Sequence, residues 1–140
     1  MVLGTLSVNS HPATVLFDFG ASHSFVSKYF ANCCDLLFAP LLVPLLIRSP
    51  GSELRAESEC RDVPVEIEGV GFLANLILLH SASLDVILGM DWLSQHMGQI
   101  DCARKLISLS SPSGVQVRFS PKLQGPHLFA LVAKPALNIS

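Results

Sequence analysis

Few folds accommodate the stretch Val15-Leu16-Phe17-Asp18-Phe19-Gly20-Ala21-Ser22-His23-Ser24-Phe25, in which an apolar, strand-like run ends in a carboxylate and meets a glycine two residues later. Apolar residues on both sides of Asp18 fix it against a core, and Gly20 permits a tight turn that brings backbone amides close to the carboxylate. That is how a reactive acid is held. Taken alone, the same pattern also fits a strand-end aspartate closing an Asx turn, with Ser22 and His23 as turn residues. A second apolar run, Leu84 to Leu88, is closed by Gly89, and a short helical segment containing Trp92, Leu93 and His96 begins at Asp91.

The rest of the chain is read as short strands and turns. Leu6 and Val8 alternate with Thr5 and Ser7, and Asn9-Ser10-His11-Pro12 supplies turn residues before Thr14 to Phe17, which predicts a hairpin leading into Asp18. After the glycine turn, Ser24 is expected to cap a short helix with Phe25, Tyr29, Phe30 and Cys33 along one face. Leu41 to Ile47 is strand-like, with Pro40 and Pro44 predicting an edge or a bend. Ser49-Pro50-Gly51-Ser52 is a turn between extended segments, and the polar run Glu53 to Glu59 predicts a hairpin outside the core. Val63 to Ile67 alternates, Glu68-Gly69-Val70-Gly71 turns, and Phe72 to Leu79 reads as a strand buried on both faces. Gln99 to Cys102, Leu106 to Leu109 and Val115 to Phe119 are further strands, joined by polar turns. The expected class is mostly β, a small barrel with one or two short helices.

Composition bounds the partners. The chain has 140 residues, one domain by length, and a domain of this size buries roughly 70% of the surface its unfolded chain exposes. Half the residues are hydrophobic, 14% are charged and the mean hydropathy is +0.51, so surplus apolar surface is expected to meet a partner. Net charge is -2 and the nine basic residues are scattered from Lys28 to Lys134, without the clustered stripe a phosphate backbone requires, so no nucleic-acid partner is expected. The first residues carry no basic n-region, and the longest apolar stretch, Leu36 to Ile47, is broken by prolines and too short to cross a bilayer; no membrane partner and a cytoplasmic setting are expected. Cys33, Cys34, Cys60 and Cys102 lack Cys-x-x-Cys spacing and are expected as free, mostly buried thiols rather than metal ligands or a disulfide pair. His11, His23, His80, His96 and His127 sit in no glycine-elbow or metal-ligand spacing, which leaves a Ser-His nucleophile and a metal site without support. Asp91 is expected as a helix cap, Asp85 as a turn residue at a strand entrance and Trp92 as core.

The Asp18 loop resembles the active-site loop of the retropepsin family of aspartic proteases, in the version found in gypsy-class long-terminal-repeat retrotransposons: Asp, then Ser or Thr, then Gly-Ala-Ser, then a segment similar to Ser24-Phe25-Val26. Leu84 to Leu93 resembles the apolar-apolar-glycine element that packs beneath that loop. The resemblance implies a small closed β-barrel of the acid-protease type over residues 1–120, followed by an apolar tail, 121–140, as dimer strand or linker. It implies Asp18 as the catalytic residue, Gly20, Ala21, Ser22 and His23 lining a cleft for an extended peptide, and a flap over roughly Ile47 to Cys60 with Pro50, Gly51 and Ser52 at its tip. Phe19, Ile87, Leu88 and Gly89 would support the site, with no metal and no cofactor. Proteolysis of this type needs two carboxylates sharing one proton. The chain has one such loop and no internal repeat of it, so a homodimer acting on a polyprotein is expected, with each Asp18 facing its copy.

Phe19 departs from the family, which places a hydroxyl there to donate across the dimer. Phenylalanine cannot donate, and two of them are expected to crowd the axis. Losing a buried donor costs about 1 to 3 kcal/mol per partner left unsatisfied. The alternative reading is therefore a retropepsin-like dimerisation or peptide-binding module that has lost turnover.

Overall fold

The computed structural model describes residues 2–49, 51–80, 84–101, 103–104, 106–120, 122–123 and 132–135. Strands β1 (Val2–Val8) and β2 (His11–Phe17) pair antiparallel from Val2↔Phe17 to Val8↔His11. Only Asn9 and Ser10 lie between them, at φ 48° and 65°, the left-handed pair that a two-residue hairpin needs to match strand twist. Alternation then sorts the side chains: Val15 and Phe17 face the main core, and Leu16 faces a second, smaller cluster.

Phe25–Ser27 forms β3 and Lys28–Cys33 forms the short helix α1. The helix cap is Ser27, whose Oγ accepts the Phe30 N–H at 3.1 Å, and not Ser24. Phe25 is a strand residue and Tyr29 is exposed, so the expected helical face of Phe25, Tyr29 and Phe30 does not exist. The reason is tertiary: β3 lies between two other strands, and their backbone groups hold 25–27 extended.

Strands β4 (Ala39–Ser49), β5 (Ser52–Ile67) and β6 (Val70–Leu79) come next as an antiparallel meander. The register of β4 on β5 shifts between Pro40 and Leu45, which is the bend the prolines predict. Ile47 and Ala56, in the half of this hairpin nearer its turn, are buried in the second cluster, so the hairpin is not polar on both faces. The turn into β6 is the Glu68-Gly69 pair, and β6 alternates before becoming buried on both faces from Leu76 to Leu79.

Strand β7 is Val86–Leu88, shorter than the run from Leu84, and leads into α2 (Met90–Gln95). Then β8 (Gln99–Asp101), β9 (Leu106–Ser110) and β10 (Gln116–Phe119) form a three-stranded sheet whose Ile107, Leu109 and Val117 enter the main core. Two further strands are β11 (Lys122–Leu123), paired with β1, and β12 (Val132–Pro135), paired with β4. The remainder of the tail, like Cys102, lies outside the described residues.

The main sheet has nine strands in the order β11-β1-β2-β7-β3-β6-β5-β4-β12, and an extra pairing of β1 with β5 through Ser7↔Glu66 and Val8↔Val65 closes it into a barrel. That seam joins only the Val8 end of β1 to β5, while Val2 and Leu3 at the other end of β1 pair with β11. The fold is mostly β, a small retropepsin-like barrel with two short helices. Inside it, Trp92 packs on Phe17, Phe72 and His96, and its Nε1 donates to the Leu73 carbonyl at 3.2 Å.

Candidate active site

Asp18 comes directly after the last residue of β2, and β7 runs parallel beside that strand in the register Val15↔Val86, Leu16↔Ile87, Phe17↔Leu88. Parallel pairing brings both strand ends to the same place, so Gly89 comes level with Asp18. The Asp18 N–H donates to the Leu88 carbonyl at 2.9 Å, and the Met90 N–H donates to the Ala21 carbonyl at 2.8 Å. Gly89 is required by closeness: a Cβ there would stand 2.2 Å from the His23 carbonyl oxygen and 2.8 Å from that of Ala21.

The Asp18 side chain is buried, with a relative exposure of 3%. Its Oδ1 accepts the Gly20 N–H at 2.8 Å, while Oδ2 is buried with no hydrogen-bond partner among the described residues. A buried polar atom left in this way costs about 1 to 3 kcal/mol, which marks it as a candidate for a functional role. One oxygen is anchored and the other is buried without a partner among the described residues.

Around it, Gly20 is exposed, Ala21 is fully buried in the second cluster, and Ser22 and His23 are half-buried, the Ser22 Oγ lying 2.9 Å from the His23 Nδ1. That cluster also contains Ile87 from β7 and Ile47 and Ala56 from the β4–β5 hairpin, which ties the half of the hairpin nearer its turn to the loop. Gly51 and Ser52 are exposed at the hairpin tip, Gly51 at φ 78°; Pro50 lies outside the described residues. Phe19 is half-buried and packs against the main core of its own chain. Two surface grooves of about 360 and 250 Å³ do not include Asp18 in their lining.

Other acids are occupied structurally. Asp85 Oδ2 accepts the Thr14 N–H at 2.9 Å and the Asp85 carbonyl accepts the Ser27 N–H, pinning β7 between its neighbours. Asp91 is not the cap of α2, a place taken by Gly89; its Oδ1 accepts the Ser24 hydroxyl at 2.6 Å and the Trp92 N–H at 2.7 Å. This link between Ser24 and Asp91 was not legible as a pair. Its one signal in the sequence is a polar residue in each of two otherwise apolar motifs.

Burial pushes the Cys34 thiol up and the Cys60 thiol up to about 11, opposite to what a thiolate nucleophile needs. Cys33, by contrast, is exposed. Among the described residues no group of three or more His, Cys, Asp or Glu is arranged to hold a metal ion, and no helix is long and apolar enough to cross a membrane.

An aspartate delivered by a barrel strand to a glycine turn, beside a parallel apolar-apolar-glycine strand, is the arrangement expected of a retropepsin-like loop. The family model for the retroviral aspartyl protease matches residues 1–114, and the chain belongs to that family. Among curated proteins it is similar to Protein DDI1 homolog 2 of Danio rerio, 26% identical over 129 residues, covering 91% of this chain and 31% of that protein. It is also similar to Protein DDI1 homolog 1 of Bos taurus, 24% identical over 127 residues, with coverages of 90% and 32%. The chain thus spans about a third of the length of these relatives. Among solved structures, the retroviral protease-like domain of Ddi1 from Leishmania major matches with a TM-score of 0.68 at 18% identity, covering 89% of this chain and 94% of that one. The EIAV protease complexed with the inhibitor HBY-793 matches with a TM-score of 0.52 at 19% identity, covering 66% and 85%.

Proposed function

We propose that the chain is an aspartic endopeptidase domain that works as a homodimer, with Asp18 of each copy contributing one carboxyl to a shared site. The observation that carries this reading is the buried Asp18 carboxyl, anchored through Oδ1 by the Gly20 N–H and, among the described residues, unpartnered at Oδ2. Two such groups facing each other share one proton, because like charges at contact distance do not both ionise. The ionised carboxylate takes a proton from water as its oxygen bonds to the scissile carbonyl carbon, while the protonated one donates to the carbonyl oxygen. Collapse of the resulting gem-diol breaks the C–N bond, and the departing amine takes up a proton.

The substrate is an extended peptide laid along Gly20 to His23 as an added strand, under the hairpin tip at Gly51 and Ser52. Residues 1–120 form the protease domain and 121–140 the tail, a division supported by the family match over 1–114. The Gly20-Ala21-Ser22 sequence, which resembles the loop of gypsy-class elements, supports an origin in a retrotransposon polyprotein that the domain would process. No metal or cofactor enters this chemistry.

Phe19 favours a second reading, a peptide-binding or dimerisation module without turnover, because position 19 has no hydroxyl to brace the opposite loop. Peptide cleavage at mildly acidic pH separates the two. Wild type is expected to cleave weakly or not at all, and Phe19→Ser to raise turnover about 100-fold or more, the effect of a misplacement near 1 Å. Asp18→Asn is expected to abolish what Phe19→Ser restores, since an amide does not take the water's proton. A wild type as active as Phe19→Ser removes the bracing argument; a folded, dimeric and inert Phe19→Ser favours the module.

A further inference from the structure

The Ser24 side chain is fully buried, and its hydroxyl reaches across 65 and 67 residues of sequence. It donates to Asp91 Oδ1 at 2.6 Å and accepts the Gly89 N–H at 3.0 Å, while the Ser24 carbonyl accepts the Ile77 N–H at 2.9 Å. We propose that Ser24 is the positioning residue of the Asp18 loop, its hydroxyl clasping Gly89 and Asp91 so that the segment on which the loop rests stays in register. The inference rests on reading Asp18 as the catalytic carboxylate.

The clasp acts through the backbone. Leu88 and Met90, on either side of Gly89, hold the Asp18 N–H and the Ala21 carbonyl, so a shift of Gly89 moves both ends of the loop that carries the acid. Removing the hydroxyl leaves the buried Gly89 N–H without its acceptor. Gly89 has little room toward the loop, since the space a Cβ would take there is filled by the His23 and Ala21 carbonyls. A hydrogen bond to a carboxylate is about twice as strong as a neutral one, which suits Asp91 to orient the hydroxyl. Every bond of the clasp lies within one chain, unlike a brace from residue 19, so it needs no group from a second copy.

The test uses the whole chain carrying Phe19→Ser, with Ser24→Ala, Ser24→Thr and Asp91→Ala added singly and Ser24→Ala with Asp91→Ala together. Ser24→Ala is expected to lower kcat about 10- to 100-fold with KM within about threefold of the parent, because it displaces the reacting group and not the peptide. Ser24→Thr, which keeps the hydroxyl, restores kcat even where its added methyl lowers the melting temperature. The double variant is no worse than the poorer single one, as expected for two partners in one interaction. Amide hydrogen exchange at Gly20, Gly89 and Met90 quickens about tenfold in Ser24→Ala, while amides of the β9–β10 hairpin keep their parent rates. Should Ser24→Ala fail to fold, Asp91→Asn, which keeps an acceptor, is expected to exchange and turn over near the parent while Asp91→Ala does neither. Parent-like exchange and kcat in folded Ser24→Ala, or equal behaviour of the two Asp91 variants, overturns the proposal. Exchange needs no turnover: loosened amides with no cleavage by any variant uphold the clasp and overturn the protease reading.

Discussion

Phe19 rests part of its ring on the main core, so Phe19→Ser trades an apolar contact for a hydroxyl. Losing a half-buried aromatic contact is expected to cost about 1 to 3 kcal/mol, lowering the melting temperature by about 4 to 10 °C, and thermal denaturation of the two proteins checks it. Activity and stability should therefore move in opposite directions at this position, so cleavage is compared well below the melting range of the weaker variant. His96 is a second residue whose setting fixes a measurable quantity. Its ring lies 4.8 Å from that of Trp92 and 5.0 Å edge-on from that of Phe72, with Nε2 buried and unpartnered among the described residues. Desolvation lowers its pKa against the opposing backbone contacts at Leu73 and Ser110. Below the ordinary histidine value of about 6.5 the unfolded chain binds a proton that the folded chain refuses, so stability falls as pH drops from there toward the folded pKa and levels off below it. His96→Phe is expected to flatten that part of the pH dependence, read as the change in urea midpoint between pH 7 and pH 5 relative to wild type. An equal slope in both proteins excludes His96 as its source.

At the scale of elements, the β1–β2 hairpin delivers Asp18, and its turn holds a serine where the geometry prefers glycine. Ser10 sits at φ 65°, so Ser10→Gly is expected to stabilise the protein by about 1 kcal/mol, read from chemical denaturation; a loss of stability would show that the serine contributes more than its backbone strain. Gly89→Ala does the reverse, because the displaced neighbours are backbone carbonyls, and about 3 kcal/mol or more of destabilisation is expected. These elements were legible where a period or a turn residue announced them: the alternation of β1 and β5, the Asn9-Ser10 and Glu68-Gly69 turns, the prolines of β4. Legibility failed where partners distant in sequence decide. Phe25-Val26-Ser27 has helix-compatible spacing with Tyr29 and Phe30, yet β7 pairs with it at Phe25↔Ile87 and β6 at Phe25↔Ile77, and two ladders outweigh a weak local preference. The same holds for Ser24, whose hydroxyl serves residues 89 and 91, and for the turn half of the β4–β5 hairpin, where Ile47 and Ala56 find a second core that the polar run Glu53 to Glu59 hides. Asp18 was legible as a candidate because its loop is local; what holds that loop is not.

For the whole molecule, the question is what the unanchored Oδ2 of Asp18 meets. The pairing of β1 with β5 runs only through Ser7 and Val8, at the end of the barrel away from Asp18, while at the Asp18 end Val2 and Leu3 of β1 pair with β11. Large apolar residues are exposed elsewhere, Tyr29 at 78%, Leu37 at 88% and Leu42 at 97%, and they show that the surplus seen in composition reaches the surface. A symmetric dimer that pairs the two Asp18 carboxyls is an isologous contact, in which each loop meets its own copy. Its assembly must then depend on protonation, since two ionised carboxylates at contact repel and one shared proton removes the repulsion. The expectation is a monomer–dimer equilibrium that tightens as pH falls through the range where one proton enters the pair, and that Asp18→Asn makes insensitive to pH. His96 opposes this at the low end by destabilising the fold, so the tightest association is expected at mildly acidic rather than strongly acidic pH. Sedimentation velocity across concentration at several pH values reads both. A chain that stays monomeric at high concentration in that window overturns the paired site, whereas a dimer whose affinity ignores pH in wild type and Asp18→Asn alike places the interface away from Asp18.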